Sequence, residues 1–230
     1  GEEPQPSMSS APSPDSRLTT VPAGRRAAEF AGLYIAMPVG HAVWFETLGT
    51  FVPLAAMVLA GVALLAATPG FRWRELVVLR GLRPWLPHAG AFTALAALVV
   101  LAFTLSLVPG HLFRLPAEQP RLWAAIMVIY PVVSVITQEL IFRPLFFHRY
   151  APLFGAEAVA IVANAAVYSL AHAFYQNWVA VTLSFGAGLI FGWTYLRSRS
   201  FPLVVLMHAV AGQLVFTIGL GVYFYHGAIG

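Results

Sequence analysis

The 230 residues contain no cysteine and no lysine. The first absence excludes disulfides, thiolate nucleophiles and cysteine-ligated metal centres. The second leaves arginine as the sole long cation, accounting for all 13 basic residues. Charge of either sign is scarce: 10% of residues are charged and 59% are hydrophobic, against about 25% charged in soluble domains. That balance excludes an ordinary soluble domain and marks an integral membrane protein. The net charge of +4 is no nucleic-acid signal, because the arginines fall in short segments between apolar runs, where they set topology. Arginine without lysine, with abundant Ala, Pro and Gly, suits a GC-rich bacterial source and hence the bacterial cytoplasmic (inner) membrane. The alternation of a β-barrel is missing. So is any internal repeat, which weighs against an inverted-repeat transporter. No HExxH or other short metal-ligand spacing occurs.

What is present is a series of apolar runs. Residues 1–27 are polar and rich in Ser and Pro, so they are expected to form a disordered tail. They lack the apolar core of a signal peptide, and Met8 is a candidate native start. Residues 28–230 are expected to form one membrane-embedded helical domain. A membrane-spanning helix needs about 20 apolar residues. Six runs approach or exceed that: Phe51–Thr68, Ala89–Val108, Leu122–Phe147, Gly155–Phe174, Trp178–Leu196 and Phe201–Tyr225. A seventh, Ala28–Phe45, is interrupted by Pro38 and His41. Counting seven spans with the N-terminus inside places Arg17, Arg25, Arg26, Arg72, Arg74, Arg80, Arg83, Arg149, Arg197 and Arg199 inside, and only Arg114 and Arg121 outside. The excess of inside arginine favours that count over six. Backbone polar groups in lipid must be satisfied within the segment, so the spans are helices. The fold class is therefore an all-α, polytopic transmembrane helix bundle of about seven spans. Ser184, Gly188 and Gly192 recur at four-residue spacing, a small-residue face for close helix packing.

Within the run Leu122–Phe147 lies Gln138-Glu139-Leu140-Ile141-Phe142-Arg143. A charged side chain at mid-bilayer costs about 2.5–3.5 kcal/mol on insertion scales, so such residues are rare and point to function. Glu139 and Arg143 are four residues apart and share a helix face. Pro131 and Pro144 flank them, each depriving a carbonyl one turn earlier of its donor. Asn164, Tyr168 and His172 line one face of the next span. In the last span His208 is followed one turn later by Gly212, with Gln213 beside it; a glycine there admits a close neighbour. A buried Glu–Arg pair that only fixes helix geometry, and histidines that only bond helix to helix, account for each feature singly. Their coincidence on three spans is what points to a site. His41, His88, His111, His148 and His226 fall at span ends, in loops or in the interrupted first run, and are assigned no role.

These residues resemble a known family. QELIFR, then Tyr-Ser-Leu-Ala-His at 168–172, then His208 are similar to the motifs of the CPBP family, the CAAX-type proteases and bacteriocin-processing proteins also called Abi, which includes the type 2 CAAX prenyl endopeptidase. Its pattern is EExxxR, an aromatic-xxx-His, and HxxxN on nearby helices; the likeness covers roughly residues 120–215. The chain departs from it twice, with Gln138 for the first glutamate and Gly212 for the asparagine.

The resemblance implies an intramembrane endopeptidase that hydrolyses a peptide bond of a membrane-associated substrate by glutamate-activated water. Glu139, His172 and His208 are the expected catalytic residues, with Arg143, Gln138, Tyr168, Gly212 and Gln213 in support. The family gives the first glutamate the water-activating role, and a glutamine is no base, so Glu139 is expected to take the proton. His172 would help hold the water, and His208 would donate to the oxyanion, with Gln213 or a backbone group in place of the asparagine. Arg143 would be the counter-ion of Glu139. No cofactor is expected; the zinc alternative would use Glu139, His172 and His208 as ligands, leaving no separate base. Two further readings stand beside the protease: a catalytically inactive scaffold or regulator of the same fold, and a proton-coupled transporter. Expected partners are the lipid bilayer and a membrane-associated protein or peptide (a leader, a bacteriocin precursor or another anchored tail), with no nucleic acid. One geometric condition follows. At 1.5 Å per residue, Glu139 and His208 lie roughly 10–14 Å from the inner ends of their runs and His172 about 25 Å from its own, so the helix carrying His172 must start deeper or tilt.

Overall fold

A computed structural model describes residues 21–225. Most of the expected tail, residues 1–20, and His226 lie outside the described residues. Helix α1 (Ala23–Phe30) begins after Pro22, before the expected boundary at residue 28. Its polar first turns are held by Arg25 Nε donating to Glu29 Oε1 at 2.9 Å. The chain stays helical through a wider π segment at Ala31–Ala36 into α2 (Met37–Val43). A short α3 (Phe45–Leu48) leads to α4 (Phe51–Ala66). There follow α5 (Leu86–Leu107), the short α6 (Arg114–Glu118) and α7 (Pro120–Ile129). From α7 the helix runs on through a π segment (Tyr130–Val135), α8 (Ile136–Leu140) and a second π segment (Ile141–Tyr150). Helices α9 (Glu157–Leu170), α10 (Trp178–Ser198) and α11 (Phe201–Ile218) complete the bundle. Asn177 and Ser200 cap α10 and α11 by accepting from the Ala180 and Leu203 N–H groups at 2.8 and 3.3 Å, which satisfies donors left free by the first turn. Among the described residues there is no strand.

The protein is a polytopic helical bundle. Among the described residues, five helices are long and apolar enough to cross a membrane: Arg83–Leu107, Pro120–Phe154, Glu157–Tyr175, Trp178–Ser198 and Phe201–Ile218. The expected run at Phe51 forms a helix of 16 residues, apolar but short. The seventh run is helical too, with Arg25, Arg26 and Glu29 in its first turns. Arg149, expected in an inside loop, is instead helical and 2% exposed. Its Nε and Nη2 donate to the two Glu29 oxygens at 2.7 and 2.9 Å, and its Nη1 to the Ala67 carbonyl at 3.3 Å. This clamp joins α1, the end of α4 and the long helix.

Small residues bring α9 and α10 together. A Cβ on Gly188 would lie 3.0 Å from the Ala165 Cα, and one on Gly192 3.1 Å from the Asn164 Oδ1. This is the close packing expected of the Ser184–Gly188–Gly192 face. Backbone stands against backbone at Gly188, so a larger residue cannot be absorbed by a rotamer change. Gly188→Leu is expected to destabilise the fold by about 1–3 kcal/mol through overpacking. A lowered thermal midpoint in detergent, against an unchanged one for Gly186→Leu, which has open space around it, checks this.

Candidate active site

Two prolines shape the helix that carries Glu139. Pro131 has no N–H to give the Met127 carbonyl, four residues back. The Gln213 side-chain amide from α11 supplies one instead, at 2.9 Å. Around Pro144 the helix widens, and two carbonyls turn to donors on other helices. The Tyr34 hydroxyl donates to the Ile141 carbonyl at 2.5 Å, and the Asn164 Nδ2 to the Phe142 carbonyl at 2.7 Å. The carbonyls so engaged lie one and two residues beyond Leu140, the one that Pro144 was expected to free. Irregular backbone at this depth is tolerated because protein donors satisfy it.

Glu139 and Arg143 are both fully buried. Arg143 Nε donates to Glu139 Oε2 at 2.8 Å, and Arg143 Nη1 donates to Asn164 Oδ1. The guanidinium carbon lies 5.0 and 5.6 Å from the ring centroids of Tyr168 and Phe191. The cation is thus paired on one edge and covered by aromatic faces, which attract it electrostatically. The other carboxylate oxygen of Glu139, Oε1, is 2.8 Å from His208 Nδ1. Since ion-paired Glu139 accepts, Nδ1 of His208 donates, and Nε2 is left to face the hydroxyls of Tyr168 and Tyr130 at 3.1 and 3.2 Å. Phe191 stacks on the imidazole, centroids 5.4 Å apart.

The helix lengths bring Glu139 and His172 to matching distances from their helix ends, while His208 lies only about 10 Å from the start of α11 at Phe201, so it is α11 that must start deeper or tilt. The expected run ended at Phe147, but the helix continues to Phe154. At 1.5 Å per residue, that sets Glu139 roughly 22 Å from the C-terminal end of its helix. Helix α9 starts at Glu157, which places His172 a similar distance, roughly 22 Å, along its own helix.

Of the residues singled out in the sequence, Glu139, Arg143, Asn164, Tyr168 and His208 form one connected cluster. His172 stands beside it, one turn beyond Tyr168. Its Nδ1 donates to the Tyr168 carbonyl at 2.7 Å, and its ring packs on that of Tyr168, centroids 4.7 Å apart. Glu139, His172 and His208 do not assemble as a metal-binding group, and no other three His, Asp or Glu do so among the described residues. Gln138 Nε2 donates to Ser134 Oγ at 2.7 Å, while its Oε1 is buried and accepts no hydrogen bond among the described residues. Gln213, expected as a replacement for the missing asparagine, donates one amide N–H to the Met127 carbonyl at 2.9 Å. Gly212 has Tyr130 against it instead: a Cβ there would come within 2.5 Å of the Tyr130 Cζ and Oη. Tyr130 is the site residue that sequence reasoning missed. The signal for it was Gly212 itself, whose lack of a side chain calls for a bulky neighbour.

The fold and cluster define a class: a polytopic membrane protein with a buried, arginine-braced carboxylate–histidine pair shared between two spans. The comparison with protein families is more specific. Residues 119–212 match the family model described as type II CAAX prenyl endopeptidase Rce1-like. Over this segment, which holds Glu139, His172 and His208, the chain is similar to the CAAX-type membrane protease family. No curated protein and no solved structure matches the chain significantly.

Proposed function

We propose that the protein is an intramembrane endopeptidase that hydrolyses a peptide bond in a membrane-associated substrate, with His208 as the base and Glu139 as the group that positions it. The carrying observation is the 2.8 Å contact between Glu139 Oε1 and His208 Nδ1 across two spans. This reverses the roles expected from the sequence. Glu139 has one oxygen on Arg143 and the other on His208, so it is engaged as an acceptor rather than free to take a proton from water. Holding Nδ1–H, it leaves the Nε2 lone pair of His208 as the proton acceptor. The water oxygen would attack the peptide carbonyl carbon as its proton passes to Nε2. On collapse of the tetrahedral intermediate the C–N bond breaks and Nε2 returns that proton to the departing amine. General-base catalysis of this kind contributes typically 10²–10⁴-fold. This route draws its base and its positioning group from the chain's own side chains. The substrate class is a peptide or protein tail presented from the bilayer of a bacterial inner membrane, with the N-terminus of this chain inside.

The test is a survey of new peptide termini in membranes containing the wild-type chain or His208→Ala at equal abundance. Termini present with the wild type and reduced a hundredfold or more with His208→Ala are the expected result. A second reading, a non-hydrolysing member of the family that only holds such a segment, is favoured by one observation: Gln138 is an amide tied to Ser134 at the position where the family carries a water-activating carboxylate. Identical termini in both membranes would establish that second reading and sink the first.

A further inference from the structure

The protons around His208 do not balance within the protein. Its Nδ1 donates to Glu139. Two hydroxyls, of Tyr168 and Tyr130, meet its Nε2 at 3.1 and 3.2 Å, and neither has another hydrogen-bond partner among the described residues. An unprotonated Nε2 offers one in-plane lone pair, so it accepts one hydroxyl proton and the other must point elsewhere. A protonated Nε2 donates, and both hydroxyl protons point elsewhere. In every state at least one tyrosine O–H is a spare donor beside the base.

Packing distinguishes the two tyrosines. Tyr168 is 2% exposed, and its ring is fixed between Phe142 and His172, centroids 5.1 and 4.7 Å away. Tyr130 is only partly buried. It begins the π segment at Pro131, and its ring lies over Gly212, in the volume a side chain at 212 would occupy. We infer that Tyr130 donates the hydrogen bond that receives the carbonyl oxygen of the scissile peptide, and that Gly212 is glycine because this hydroxyl fills its side-chain space. The inference rests on the hydrolytic reading above. As water adds to the carbonyl carbon, the C=O electron pair moves onto oxygen, and the Tyr130 O–H faces that growing negative charge. A preorganised donor is worth most there, because it pays no reorganisation at the moment of reaction. Tyr168 can hold the Nε2 lone pair only until water arrives; its O–H then turns aside so that Nε2 takes the water proton.

The experiment uses the full chain in vesicles and a synthetic peptide spanning one of the junctions mapped above. Tyr130→Phe keeps the ring over Gly212 and removes only the donor. Its kcat is expected to fall about 10²–10³-fold, the usual loss for one oxyanion donor, with KM within threefold of wild type and an unchanged thermal midpoint. Wild-type kcat in Tyr130→Phe would overturn the donor role while leaving the hydrolase standing. If neither the wild type nor His208→Ala cleaves the peptide, both readings fail together. Placement is read separately: Gly212→Ala should lower the thermal midpoint in the wild-type background and not in Tyr130→Ala. An equal effect in both backgrounds would show that Tyr130 does not fill that space.

Discussion

Arg143→Leu is expected to cost about 3–5 kcal/mol and to deplete the folded protein from the membrane, because it strands Glu139 as an unpaired buried charge. Three kinds of partner are lost at once. Glu139 Oε2 loses its 2.8 Å donor, Asn164 Oδ1 loses its guanidinium partner, and the rings of Tyr168 and Phe191 lose the cation between them. A buried ion pair adds little net stability over an apolar pair of similar volume, yet breaking one side of it is costly. The double variant Arg143→Leu/Glu139→Leu should therefore recover much of the loss, although each single change is harmful. Chemical denaturation in mild detergent, with accumulation in membranes as the cellular readout, measures all three. If Arg143→Leu proves as stable as wild type, the pair is not what holds this helix, and the rigidity assigned to the site goes with it. The contact between Glu139 and His208 does not involve Arg143, so any folded fraction of Arg143→Leu reports how far activity depends on the bracing of Glu139.

How much of this was legible in the sequence depends on the range of the interaction. Glu139 and Arg143 pair across one helical turn, so spacing alone revealed them. The Ser184–Gly188–Gly192 face was legible for the same reason, since small residues at a helical period leave few alternatives to close packing. Apolar length marked where helices lie but not where they stop. The long helix passes Phe147 and ends near Phe154 because Arg149, polar by type, is buried against Glu29 from α1, a partner 120 residues away. The depth of the whole site turns on that clamp. Gln213 shows the same limit from the other side: adjacency to Gly212 suggested a catalytic substitute, while Pro131 on another helix leaves a carbonyl that claims its amide. Gly212 signalled a bulky neighbour but not which one, since Tyr130 reaches it from another helix. The contact between Glu139 and His208 was also beyond the sequence, since it depends on which oxygen faces which nitrogen.

Glu139→Gln is expected to abolish turnover, by about 10⁴-fold, in the fraction that folds, since Arg143 keeps an acceptor there but loses its counter-charge. The reasoning is one of tautomers. The carboxylate can only accept from His208 Nδ1, at 2.8 Å, which keeps the proton on Nδ1 and the lone pair on Nε2. A glutamine side chain is isosteric, but Arg143 Nε sits on the other oxygen position at 2.8 Å. The cation holds the amide oxygen toward itself, so the amide NH₂ turns to His208. An NH₂ group facing Nδ1 donates, and the imidazole must then carry its proton on Nε2, where it cannot serve as a base. A wrong tautomer in an otherwise intact carboxylate–histidine arrangement costs about 10⁴ in kcat. The measurement is kcat for the mapped junction peptide, together with the ¹⁵N chemical shifts of His208, which report the tautomer directly. Loss of activity with the Nε2–H form populated is the expected result. If Glu139→Gln retains activity within tenfold of the wild type, Glu139 does not set the protonation of His208. The 2.8 Å contact would then be structural, and the tautomer of His208 would be set by another group.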